Sequence, residues 1–155
     1  MLDQAVPDFS LPATGGVDFQ LSAAHGKTLV IYFYPKDNTP GCTMESQRFR
    51  DLYADFKQAG CGIVGISRDS IKSHENFKAR FTLPFALLSD ADEEVCELFD
   101  IIKQKKLYGK DVRGIQRSTF VLDRDGVLRR EWRGVKVDGH VEEVLQFVQT
   151  LQGAS

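Results

Sequence analysis

Residues 29–34 read Leu-Val-Ile-Tyr-Phe-Tyr, an unbroken apolar run set between Gly26 and Pro35. A strand with no polar face must be covered on both sides, so this run predicts a central strand of a sheet. Ile63-Val64-Gly65-Ile66 repeats the pattern, and Phe85 to Leu88 gives a third such strand. Between them the period changes. Phe49, Leu52, Tyr53 and Phe56 recur at helical spacing in a helix that starts at Pro40 and is closed by Gly60. Ser70 to Phe81 predicts a polar helix held by Ile71 and Phe77, and Val95, Leu98, Phe99 and Ile102 a further one. Thr119 to Leu122 and Val127 to Trp132 flank the turn Asp123-Arg124-Asp125-Gly126, a hairpin signal. Val141 to Leu151 forms a last amphipathic helix, with Asp138 as its expected cap and Gly153 near its end. Before all of this, Val17 to Leu21 alternates like a half-buried strand in an N-terminal extension.

Alternating strands and helices imply parallel pairing with helices on both faces, and the late hairpin adds antiparallel strands. The expected fold is therefore α/β, a three-layer sandwich around a mixed central sheet, and the thioredoxin-like arrangement fits this order. With 155 residues, the chain is expected to be a single domain, 1–155. Its 20 Lys+Arg against 22 Asp+Glu leave a net charge of −2, which offers nucleic acid no basic surface. No apolar run reaches the ~18–20 residues of a membrane span. Met1-Leu2-Asp3-Gln4 carries no basic, apolar leader, so a soluble cytoplasmic protein is expected.

Three cysteines, at 42, 61 and 96, make an odd set without a Cys-x-x-Cys pair. That argues against a disulfide framework and against structural zinc. His25, His74 and His140 lie far from any cysteine in sequence and read as surface or loop imidazoles.

Cys42 is placed differently from the other two thiols. It follows the buried strand directly, in Pro35-Lys36-Asp37-Asn38-Thr39-Pro40-Gly41-Cys42-Thr43-Met44-Glu45. With Thr39 as N-cap and Pro40 in the first helical position, the sulfur falls in the first turn. Unpaired N–H groups and the positive end of the helix dipole there favour a thiolate. A helix end alone makes a reactive thiol. Efficient chemistry needs donors aimed at the leaving group as well.

Pro35-x-x-x-Thr39-x-x-Cys42 matches the active-site signature of the peroxiredoxins, and its surroundings resemble the bacterioferritin-comigratory or Q-type subfamily. Val6-Pro7-Asp8-Phe9-Ser10-Leu11, Val64-Gly65-Ile66-Ser67 and Arg117-Ser118-Thr119-Phe120-Val121-Leu122-Asp123 extend the likeness along nearly the whole chain. The resemblance implies a thioredoxin-like fold without cofactor, and a thiol that reduces hydroperoxides through a sulfenic acid. It makes Cys42 the peroxidatic nucleophile. Thr39 would hydrogen-bond the peroxide, Pro35 would shield the thiolate from water, and Arg117 would hold the thiolate and the charge of O–O cleavage. Glu45, at i+3 from Cys42, shares its helical face, and pairing with Arg117 would keep its carboxylate from repelling the sulfur.

Many Q-type members carry a resolving cysteine five residues after the nucleophile, where this chain has Gln47. Cys61, opening a strand, and Cys96, beside an apolar stripe, read as packed thiols. The expectation is a monomeric one-Cys enzyme reduced by thioredoxin, glutaredoxin or a small thiol. Two alternatives stand beside it: atypical two-Cys recycling through a Cys42–Cys96 disulfide, and a redox sensor or chaperone-like protein that oxidises Cys42 without turnover. A dithiol oxidoreductase is disfavoured for want of Cys-x-x-Cys.

Overall fold

The computed structural model describes residues 1–153. Along the chain it forms β1 (Ser10–Ala13), β2 (Val17–Gln20), a 3-10 turn (Leu21–Ala24), β3 (Thr28–Phe33), α1 (Pro40–Asp51), α2 (Tyr53–Gln58) and β4 (Cys61–Ser67). There follow α3 (Ile71–Phe81), β5 (Ala86–Ser89), α4 (Glu94–Leu98), β6 (Ile102–Leu107), β7 (Lys110–Ile115), β8 (Ser118–Leu122), β9 (Leu128–Arg133) and α5 (His140–Gly153). Seven strands make one sheet in the order β2-β1-β5-β4-β3-β8-β9, while β6 and β7 pair as a separate hairpin. β3, β4 and β5 are parallel; β8 and β9 add antiparallel strands on one side, and β1 and β2 on the other.

All of β3 is buried, as its composition requires. Its side chains alternate, a pattern that runs on to Tyr34 just past its end: Val30, Tyr32 and Tyr34 enter one core with Phe49, Phe56, Phe77 and Val144 from α1, α2, α3 and α5. Leu29, Ile31 and Phe33 enter the other, with Leu21, Val95 and Phe99. The pleat thus divides one apolar run between two layers. Gly65 of β4 makes this possible on the first face: a Cβ there would lie 2.7 Å from the Tyr32 ring and 2.9 Å from Leu87.

Several local expectations give way. The helix from Pro40 breaks at Leu52 (φ −100°, ψ 7°), although the apolar spacing runs on across the break. The bend leaves Phe49 and Phe56 in the same core with ring centroids 5.8 Å apart. The helix around Val95 stops at Leu98, so Ile102 belongs to β6. Asp100 sits at φ +54°, and the Asp100 and Ile101 N–H groups donate back to the Glu97 and Cys96 carbonyls. That is a Schellman-type stop with Asp in place of Gly. α5 begins at His140, and the carbonyl of Gly139 accepts the Glu143 N–H, so Asp138 stands one residue before the cap. In α3, which runs from Ile71, Ser70 is the cap and accepts the Ser73 N–H. Phe77 is fully buried there, but its partner in the core is His74 rather than the half-buried Ile71.

Candidate active site

β3 and β8 run side by side with Phe33 opposite Ser118, so the residues after β3 and those before β8 meet at one end of the sheet. Residues 35–39 leave β3 there and start α1; Arg117 arrives from the other direction. Open α/β sheets place their sites in this position, at the carboxyl ends of the parallel strands.

Cys42 lies in the first turn of α1 and is 1% exposed. Arg117 Nη2 donates to Cys42 Sγ at 3.4 Å, and its Nη1 donates to Glu45 Oε1 at 2.8 Å. One guanidinium therefore spans a thiol and a carboxylate one helical turn apart. Gly41 makes room for it, since a Cβ there would sit 3.1 Å from Arg117 Nη2. Burial works against the Arg117 charge, but Glu45 and Cys42 outweigh it and hold the guanidinium above its ordinary pKa. Thr39 occupies the N-cap position with extended backbone, yet its hydroxyl does not cap. Instead Oγ1 donates to the Lys36 carbonyl at 2.8 Å, which leaves the oxygen lone pairs free to accept. Pro35 is exposed in the same loop. Thus Cys42, Glu45 and Arg117 are in direct contact, with Thr39 a turn away on the rim.

Glu45 has no exposed surface, and its Oε2 has no hydrogen-bond partner among the described residues. Burial pushes its carboxyl up from 4.5 to about 7, against the opposing charge and hydrogen bond of Arg117. The folded protein therefore holds a proton that the unfolded chain releases near pH 4.5, and stability falls as pH rises from 4.5 through about 7. By linkage this loss is at most roughly 3 kcal/mol. Glu45→Gln should lack it: its unfolding free energy, measured in denaturant, should gain on the wild type across that window and run parallel above it. Parallel curves throughout would mean that Glu45 does not titrate there.

The other thiols lie elsewhere. Cys61 pairs with Thr28 at the opposite end of the sheet, donates to the Gly62 carbonyl at 3.2 Å, and is pushed up to about 12 by burial. Cys96 is fully buried in the core on the other face of the sheet from Cys42. Burial, aided by Asp90, pushes its thiol strongly up.

Two histidines correct the expectation of surface imidazoles; His25 is exposed as expected. His140 is buried, its Nε2 lies 2.8 Å from Thr119 Oγ1, and burial lowers it to about 4, so it is neutral at pH 7. His74 is fully buried beside Asp37. Its position, three residues before Phe77 on α3, was the available sign that it faces inward.

A buried thiol bridged by a guanidinium to a carboxylate, at the end of an α/β sheet, is suited to cleaving a polar bond at sulfur. Known proteins agree on the class. A profile of the AhpC/TSA family matches residues 2–131. Peroxiredoxin Bcp of Xanthomonas campestris is 51% identical over 93% of this chain and 90% of its own, and peroxiredoxin Bcp of Bacillus subtilis is 45% identical over 97% and 96%. The solved bacterioferritin comigratory protein of Xanthomonas campestris superposes with a TM-score of 0.90 at 49% identity, covering 93% of this chain and 92% of that one. The fold is thus thioredoxin-like and the enzyme class that of the thiol peroxidases. The chain belongs to the AhpC/TSA family, among the peroxiredoxins of the Bcp and Q type.

Proposed function

We propose that Cys42 is the sulfur that attacks hydroperoxides, and that the protein turns over as a one-Cys peroxidase. The observation that carries this reading is Arg117 bridging Cys42 Sγ and Glu45. The thiolate bonds to one peroxide oxygen while the O–O bond breaks, giving Cys42 sulfenic acid and releasing water or an alcohol. Arg117 stabilises the charge that builds on the departing oxygen, and Glu45 keeps the planar fork in place. Thr39 Oγ1, its own proton committed to Lys36, accepts the O–H of the incoming peroxide. Pro35 keeps water from the sulfur.

The solved Xanthomonas campestris relative comes from work on alkyl peroxide reduction, which supports organic hydroperoxides beside hydrogen peroxide as substrates here. An external thiol (thioredoxin, glutaredoxin or a small thiol) then attacks the sulfenic sulfur and expels water to give a mixed disulfide. A second thiol of the donor attacks the donor sulfur of that bond, leaving the donor as a disulfide and returning Cys42 as the thiol. The reducing cytoplasm supplies such donors. A one-Cys cycle is favoured because Cys96 lies across the sheet, and Cys61 lies five residues along β4 from Ile66, roughly 17 Å away. A disulfide needs Cα atoms within ~7 Å. Cys42, Glu45, Thr39 and Arg117 all come from one chain, consistent with a working monomer. No helix among the described residues is long and apolar enough to cross a membrane.

One equivalent of peroxide should give a Cys42 sulfenic acid that a dimedone-type reagent traps, seen by intact mass and peptide mapping. Excess peroxide without reductant should carry it to sulfinic acid. Rapid, quantitative Cys42–Cys96 disulfide with nothing to trap would establish the two-Cys cycle instead. Oxidation of Cys42 without steady peroxide consumption in excess thiol would identify a sensor.

A further inference from the structure

Thr39 and the start of α1 depend on residues 35–39, a loop with one buried member, Asp37. Among the described residues, all but one of the side-chain hydrogen bonds that tie this loop to the rest of the fold converge on that residue. Tyr34 Oη donates to Asp37 Oδ1 at 2.6 Å, and Ser73 Oγ donates to Oδ2 at 2.8 Å. His74 Nδ1 lies 2.7 Å from Oδ2, and the Asp37 N–H donates to Asp69 Oδ2 at 2.9 Å. The remaining tie, from Arg80 to the Asn38 side chain at 3.2 Å, is on the surface.

The proton count at His74 follows from its partners. Nε2 lies 2.9 Å from the Leu88 carbonyl, which can only accept, so Nε2 carries a hydrogen. The contact of Nδ1 with Asp37 then requires one more proton between imidazole and carboxyl. The other groups facing this pair are Tyr34, whose Oη is 3.4 Å from Nδ1, and Asp69, itself occupied by the Ser67 hydroxyl and the Asp37 amide. Both members of the pair are essentially without exposed surface. The proton shared by Asp37 and His74 thus links the loop to α3 and, through the Leu88 carbonyl, to β5, from outside the group of residues that meets peroxide.

We propose that Asp37 and His74 are positioning residues for the peroxidase reaction: their shared-proton contact seats residues 35–39 against α3 and so fixes Thr39 and the first turn of α1 around Cys42. This rests on Cys42 being the attacking sulfur. A seated loop presents Thr39 to the peroxide while keeping the sulfur covered. A released loop does the reverse, slowing peroxide and opening Cys42 to larger reagents.

Asp37→Ala tests this with the least damage, because neutral His74 keeps its bond to Leu88 and can accept at Nδ1 from Tyr34. Its second-order rate with hydrogen peroxide should fall roughly tenfold, the scale of a small misplacement of reacting groups. Capture of Cys42 by an aromatic disulfide reagent should rise by a similar factor. Asp37→Asn can donate from its amide to neutral His74, and should restore most of the peroxide rate. In the wild type, the His74 ring N–H facing Asp37 should give a strongly downfield proton resonance that is lost in both variants. Phe77→Leu, which loosens α3 without touching the pair, is the control at matched stability. The proposal is overturned if Asp37→Ala keeps wild-type values for both rates, or if Phe77→Leu reproduces both changes. Cys42→Ser separates the two levels: activity surviving in it removes the reading beneath, whereas an inactive Cys42→Ser beside an unaffected Asp37→Ala removes this inference alone.

Discussion

Cys42→Ser is expected to reduce peroxide no faster than the uncatalysed background while keeping the wild-type fold. A serine hydroxyl is not ionised near neutral pH, so the substitution removes the nucleophile and changes little else. The sulfur is 1% exposed and packs in the core beside α1, where the smaller oxygen leaves only a slight void. Circular dichroism and denaturant unfolding should therefore match the wild type to within about 1 kcal/mol. Cys61→Ser and Cys96→Ser should keep their peroxide rates, since both thiols are buried away from Arg117. If the loss followed either of these two instead, Cys42 would not be the reacting thiol.

Arg117→Lys is expected to lose on the order of a hundredfold in the second-order rate with peroxide, comparable to deleting one donor from an oxyanion site. The charge survives the change but the fork does not. Arg117 reaches Sγ and Glu45 with different nitrogens of one plane, and a lysine ammonium can favour one partner only at the expense of the other. It would also leave Glu45, buried and with no partner for Oε2 among the described residues, with weaker compensation. The defect should lie in the oxidation step, with reduction of preformed sulfenic acid by an added thiol much less affected. A rate near the wild type in Arg117→Lys would remove the guanidinium from bond cleavage.

The parts of the fold that announce themselves in sequence are those with one dominant periodicity. β3 was legible because a run with no polar face admits one environment, and α1 was legible because Thr39, Pro40 and the spacing to Phe49 agree. The β6–β7 hairpin was not. Lysine is frequent in β6, and Lys110 to Arg113 of β7 are all exposed, so no alternation marks the pair. Its two-residue turn is Tyr108-Gly109 with φ of +52° and +76°, and tyrosine is an uncommon first residue in such a turn. At the site, the helix start pointed to Cys42 by local physics. Arg117 and Glu45 are 72 positions apart and would have read as a surface ion pair without the family likeness. Asp37 and His74 stayed hidden for a related reason: the spacing of His74 to Phe77 tells only that the imidazole faces inward, and nothing local to either residue reveals a contact across 37 positions.

The central sheet separates Cys42 from Cys96 as a wall one strand thick. For a chain that regenerates through an outside donor, the wall turns a property of the molecule into a property of its surroundings. The waiting time of an oxidised sulfur is then fixed by encounters, and it lengthens in proportion as the donor pool is drained. Peroxide arriving during that wait competes for the same atom. Under steady supply such a chain would behave as a catalyst; as supply failed, each waiting sulfenic acid would be retired by its next encounter with peroxide, and the fraction retired would record how far demand outran the donors.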